Sequence, residues 1–367
     1  MQSIPCRSFP LIPACLIWAV LTLAMPLAAA AAASGAPSNA AGNPARPLRV
    51  ALLLEHGGPA GAGNSWTTLL NAGLDRAARD FSLHTETLAA APGTDQEAVF
   101  RRAARDFDLV LVASDGFHTI LRENAANFRN TLFGCIDAGI RAPNIMCVTF
   151  ADEQAAFLAG AAAAMLTGQT GLPGINREKI IGWLSGEDVP AMRSLLNGFS
   201  EGARLIDPQV RVINTVTGSF GDAAAGREKA RGLLEQGADV LVLAAGRGNA
   251  GALEEVRERN AYAVGLDADQ RALLPGRMLT SILKGADKAV YEIVAAAAAN
   301  GFRGKEIIVY DLKNGGVGIA DMAPFKAVAG KNAPPDLERR LKELRGEILN
   351  GSIRLKSLRA RTLCDCR

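Results

Sequence analysis

The residues with the most chemical promise stand at the ends of short apolar runs. Glu55 closes Val-Ala-Leu-Leu-Leu, and Ser65 and Trp66 follow it across a glycine-rich stretch. Ser114 and Asp115 come after Leu-Val-Leu-Val, and Asp137 after Leu-Phe-Gly-Cys-Ile. In the second half, Gly218, Ser219, Phe220 and Asp222 follow one such run; Gly246, Arg247 and Gly248 follow the next, and Asp267 the one after. A carboxylate such as Asp267 suits the vicinal hydroxyls of a sugar, which donate two hydrogen bonds. Trp66 and Phe220 are one ring from each half. Facing each other across a cleft they would stack on a flat heterocycle, at roughly 1–3 kcal/mol per base. Equally, both rings would serve as staples of helix N-termini against the core.

Catalytic patterns are missing. The sequence has no G-x-S-x-G elbow, no H-E-x-x-H and no G-x-x-x-x-G-K-[ST]. Its three histidines, His56, His84 and His118, form no ligand cluster. We therefore expect no catalytic residue, no metal and no cofactor. Gly246-x-Gly248-x-x-Gly251 matches a dinucleotide fingerprint, with Asp267 as the acid that follows. It lies in the second half of the chain, and glycine loops at strand ends are common. The net charge of +3 is small for 367 residues and gives no case for a nucleic-acid surface.

In open α/β sheets, ligands sit at the carboxyl ends of strands. Such an architecture is what the pattern supplies. Short apolar strands alternate with helical periodicity from Leu48 to Phe150, then again from Asp152 to Leu266. Fully apolar strands separated by helices imply parallel sheets covered on both faces. Two such units fit the length. Thr280 to Asn300 reads as a long helix with its preceding turn, Ile307 to Leu312 as strand, and Pro335 to Asn350 as a charged helix.

The N-terminus has Arg7, an apolar run from Leu11 to Ala33 and several A-x-A sites near its end, the pattern of a cleavable secretory signal. A retained membrane anchor is the alternative. Residues 34–47 are a linker of Ala, Gly, Ser, Asn and Pro. Of six cysteines, Cys135 and Cys147 fall within the folded part, either bridged or as two buried thiols on neighbouring strands. The C-x-C of Cys364 and Cys366 is too little for a metal site.

Several stretches resemble the basic membrane protein family, the purine-nucleoside-receptor-like substrate-binding proteins of ABC importers. They are Arg49 to Gly58 with Ser65-Trp66 and Asn71-Ala-Gly-Leu74, Val148-Thr-Phe-Ala-Asp-Glu-Gln-Ala-Ala-Phe-Leu-Ala-Gly160, Gly218-Ser-Phe-Gly-Asp222 and Gln236-Gly-Ala-Asp-Val240. Gly265-Leu-Asp-Ala-Asp-Gln270, Thr280-Ser-Ile-Leu-Lys284 and Gly315-Gly-Val-Gly318 follow in order. The resemblance implies a type I periplasmic-binding-protein fold, two Rossmann-like lobes joined by a hinge with ligand between them. It divides the chain into a signal peptide (1–33), a linker (34–47), an N-terminal lobe (48–150 plus 283–304), a C-terminal lobe (151–282 plus 305–350) and a tail (351–367).

The resemblance further implies that Trp66 and Phe220 sandwich a base. Glu55, Asp137, Asp267 and Lys284 are then the groups for ribose and base, with Ser65, Thr67 and Gly246 completing the ligand set. The expected partners are a nucleoside-like small molecule and a membrane ABC permease; the expected location is the periplasm. Departures fall on one wall: the Gly57 to Thr67 loop is longer than in relatives and lacks their two Asp. Trp66 stands for Phe, Thr67 for Asn and Glu55 for Asp. Two rival readings are a ligand-sensing ectodomain and a nucleoside hydrolase in which Glu55, Asp115 and Asp137 gather around a metal.

Overall fold

The computed structural model describes residues 46–55, 65–90 and 94–356. The expected signal peptide, nearly all of the linker, most of the Gly57–Thr67 loop, Cys364 and Cys366 lie outside them. The first half runs β1 (Arg49–Leu54), α1 (Ser65–Phe81), β2 (His84–Ala89), α2 (Gln96–Asp106), β3 (Leu109–Val112), α3 (Asp115–Asn124), β4 (Leu132–Ile136) and β5 (Ile145–Phe150). The second runs α4 (Asp152–Thr167), β6 (Ile180–Ser185), α5 (Pro190–Ile206), β7 (Arg211–Val216), α6 (Ala223–Glu235), β8 (Ala238–Ala244), α7 (Asn249–Glu258), β9 (Tyr262–Asp267) and β10 (Met278–Lys284). Then come α8 (Ala286–Ala298), β11 (Ile307–Tyr310), β12 (Val317–Ile319), α9 (Ala323–Ala329) and α10 (Leu337–Leu349).

Two six-stranded sheets result, ordered β11-β5-β4-β3-β1-β2 and β12-β10-β9-β8-β6-β7. The orders are equivalent, so β1 corresponds to β6 and β4 to β9. The first sheet is parallel throughout; in the second only β12 runs antiparallel, against β10. Every residue of β3, β5, β6 and β8 is buried, as strands covered on both faces must be. Both sheets fall within one compact unit of the chain.

The chain crosses between the sheets three times: from β5 into α4, from β10 into α8, and from β11 to β12. Two expectations need correction here. Met278–Lys284 is a strand of the second sheet, paired with β9, and only the segment from Ala286 is helical. Its buried Met-Leu-Thr-Ser-Ile-Leu run fits either period, and pairing decides it. Second, β11 belongs to the first sheet, in register Ile307↔Cys147 to Tyr310↔Phe150, so the last crossing follows Tyr310 instead of residue 304. The Lys305 amide donates to the carbonyls of Ala142 and Ile145, which holds the chain at that edge as it leaves α8. Ile-Ile-Val-Tyr would suit an edge of either sheet, so composition alone could not choose.

Small residues set two close helix contacts. A methyl group on Gly160 of α4 would lie 2.0 Å from the Phe199 carbonyl oxygen of α5, and one on Gly202 1.9 Å from that of Phe157. On α10, Leu337, Leu341, Leu344 and Ile348 form the buried stripe of an amphipathic helix. Cys135 and Cys147 face each other across β4 and β5 as free buried thiols. Burial holds the Cys135 thiol well above its ordinary value.

Candidate functional site

A cavity lies where the carboxyl ends of the two sheets meet. Glu55, Trp66, Thr67 and Asp137 line it from the first lobe, and Phe220, Gly246, Asp267 and Lys284 from the second. Ser65 is absent from that lining but bonds to it. These nine residues come from seven separate segments of chain, brought together by strand ends and helix starts.

Trp66 and Thr67 sit in the first turn of α1 instead of in a loop. The indole Nε1 donates to the Ala113 carbonyl (3.2 Å), and the ring meets Phe150 edge-on at 6.3 Å between centroids. Trp66 thus anchors α1 to the core while also lining the cavity. Phe220 lies in the turn before α6 and belongs to no core cluster. A methyl group at Gly186 would meet its Cδ1 at 2.2 Å, and one at Gly246 its carbonyl oxygen at 2.7 Å. Gly246 has φ +58°, a conformation that costs glycine little. Its contribution is to let the Phe220 turn pack down. Asp222 caps α6, accepting from the Ala225 amide at 3.0 Å. Gly251 meets the Ala223 carbonyl so closely that a methyl group there would lie 2.0 Å away. The glycines after β8 therefore serve the contact between α6 and α7.

The charged centre is Lys284, at the end of β10 with its side chain 3% exposed. Its ammonium donates to Asp137 Oδ2 (3.0 Å) and lies 3.1 Å from Asp152 Oδ1. It also stands 5.0 Å from the centroid of Trp66 and 4.8 Å from that of Phe150. A buried ammonium is tolerable only when so paired. Asp137 is at the end of β4, Asp152 starts α4 and Lys284 ends β10, so the cluster ties the first sheet to two of the crossings.

Asp137 and Asp267 occupy the same position in the two sheets, after β4 and at the end of β9. Both take left-handed backbone, φ +73° and +70°, which aspartate tolerates better than most residues. The Ser65 hydroxyl lies 2.9 Å from Asp267 Oδ2 and 3.0 Å from the Leu266 carbonyl, and accepts from Gln270 Nε2 at 3.3 Å. These bonds join α1 directly to the second sheet. Burial pushes the Asp267 carboxyl up to about 6, while Lys284 and the Ser65 hydroxyl pull it down.

Glu55 accepts from Gln96 Nε2 at 3.2 Å and rests against Gly116, where a methyl group would lie 2.4 Å from its Oε1. Asp115 to His118 form the first turn of α3, not a loop, with Ser114 in the extended N-cap position. The buried His118 lines the cavity, and its Nε2, 2.9 Å from the Ile136 carbonyl, carries the proton for that bond. His118 and the apolar Val189, Ala191 and Met192 at the start of α5 were missed from sequence. For α5 the Pro190 helix start was the available signal. Among the described residues, no group of acids, histidines or cysteines is placed to hold a metal, and the Glu55–Asp115–Asp137 metal cluster does not form.

Residues 57–352 match the family model described as ABC transporter substrate-binding protein PnrA-like. An uncharacterized lipoprotein of Pyrococcus horikoshii is 28% identical over 304 residues, 77% of this chain and 73% of that one. Basic membrane protein A1 of Borrelia garinii subsp. bavariensis is 32% identical over 57% of this chain and 58% of its own. Among solved structures, an ABC transporter solute-binding protein from Aeropyrum pernix K1 aligns with a TM-score of 0.74 at 26% identity, over 84% of this chain and 93% of that one. With its two equivalent sheets and a cavity between their carboxyl ends, the chain belongs to the PnrA-like family of ABC transporter substrate-binding proteins, the basic membrane proteins.

Proposed function

We propose that this substrate-binding protein captures a purine nucleoside between its lobes and delivers it to an ABC permease. The observation that carries this reading is that Trp66 and Phe220 line one cavity from opposite lobes, with Asp267 in the same lining. Two rings offer both faces of a flat base a stacking partner. Asp267 offers two acceptor oxygens to a diol, and the ammonium of Lys284 is paired with the neighbouring Asp137. Closure buries the ligand, and the closed form docks on the membrane partner. For ligand to drive closure it must bind the closed arrangement more tightly than the open one. Groups contributed by both lobes supply that difference.

This reading places the protein outside the cytoplasmic membrane, exported by the leader over residues 1–33. No helix among the described residues is long and apolar enough to cross a membrane, and relatives are named lipoproteins. Isothermal titration with adenosine, guanosine and inosine tests the ligand. Saturable one-to-one heat from at least one is expected; no heat from any of them would remove the nucleoside and leave the family standing.

A further inference from the structure

The cavity holds two basic residues besides His118, and they differ in kind. Lys284 is buried and engaged by carboxylates. Arg247 is exposed, and its guanidinium carries no hydrogen bond or ion pair among the described residues. It lines the same cavity. Its position is fixed by the ring-bearing turn: the Arg247 amide donates to the Phe220 carbonyl at 2.8 Å. Its Nη2 reaches the space beside Gly221, where a methyl group would lie 3.1 Å from it. The guanidinium thus stands next to the residue that follows Phe220.

We infer that Arg247 sets base specificity, reading the O6/N7 edge of a 6-oxopurine. The inference rests on the nucleoside reading and deepens it. A guanidinium has donors only, arranged as a planar fork. Guanine and hypoxanthine present two adjacent acceptors, O6 and N7, that match the fork in two parallel bonds. Adenine presents its N6 amine at the same place, a donor set against donors. Glu55 on the opposite lobe is acceptor-only when ionised, and complements the N1–H donor of the same 6-oxopurines.

The test is titration of the intact protein and of Arg247→Ala and Arg247→Lys with guanosine, inosine, adenosine and 7-deazaguanosine. Guanosine and inosine should bind at least about tenfold more tightly than adenosine, the lower part of the range for a bidentate contact. 7-Deazaguanosine, without N7, should fall between. Both variants should lose about tenfold for the 6-oxopurines and stay within about twofold for adenosine. Arg247→Lys keeps the charge, so full retention of preference there would overturn reading by the fork. Equal affinity for adenosine and guanosine, or a uniform loss for all ligands in Arg247→Ala, would also overturn it while the nucleoside reading survives. Failure of every nucleoside to bind the unaltered protein would fail the parent reading instead. Thermal melts should match among the variants, because the side chain is exposed and unpaired.

Discussion

Phe220 has the cleanest role among the cavity residues, because it packs into no core cluster. Phe220→Ala should therefore leave the melting temperature nearly unchanged while weakening ligand by roughly 1–3 kcal/mol, or about 5- to 150-fold in titration. Equal affinity would show that the ring does not stack on ligand. Lys284 is the opposite case. Lys284→Met leaves Asp137 and the fully buried Asp152 without their cation, and should cost about 3–5 kcal/mol in urea unfolding. Asp267 sets a pH dependence. With its carboxyl pushed up to about 6 in the free protein, it is ionised at pH 7 and increasingly protonated below pH 6. A ligand diol donates to the ionised form, so binding below pH 6 must expel a proton. Affinity should fall by up to about tenfold per pH unit there, and titrations from pH 8 to 5 should show a bend near 6 that Asp267→Asn removes. Much at this scale was legible. Glu55, Asp137 and Asp267 follow apolar strands, and strand ends are where such sheets bind. Arg247 was visible at a strand end too, yet nothing in its neighbours indicated an unpaired guanidinium. His118 was hidden because α3 begins at Asp115, five residues before Ile120, where the helical pattern becomes legible in the sequence.

At the scale of elements, the site depends on helices whose spacing is set by glycine. Gly160→Ala would drive a methyl group toward the Phe199 carbonyl and push α5 off α4, which should cost about 1–3 kcal/mol or more. Val189, Ala191 and Met192 at the N-terminal end of α5 line the cavity, so ligand affinity should fall with stability; unchanged unfolding in urea would show that the contact is looser than described. The strands and most helices were legible as alternating apolar runs. Residues 278–284 were not, because a buried strand lacks the period-two signature that a half-exposed one shows. Helical spacing was legible from Trp66 to Phe81, although the resemblance put Trp66 and Thr67 in a loop; the α1 start is marked only by Ser65, itself turned toward Asp267.

At the scale of the molecule, the described residues form two sheets of one strand order that share a cavity. That doubling was legible in the repeated strand and helix rhythm. The path of the last crossing was not: the edge that takes β11 is chosen by the turn at Lys305, a tertiary contact with no local signal. The Lys284 cluster ties the first sheet to two of the three crossings, and Ser65 and Asp267 join the lobes beside the cavity. The most direct measurement is a crystal structure of the protein grown with guanosine or inosine. The base should lie between Trp66 and Phe220, with the ribose hydroxyls on Asp267. A nucleoside held outside the cleft, or a cleft occupied by a ligand that touches neither ring, would contradict the proposed mode of binding.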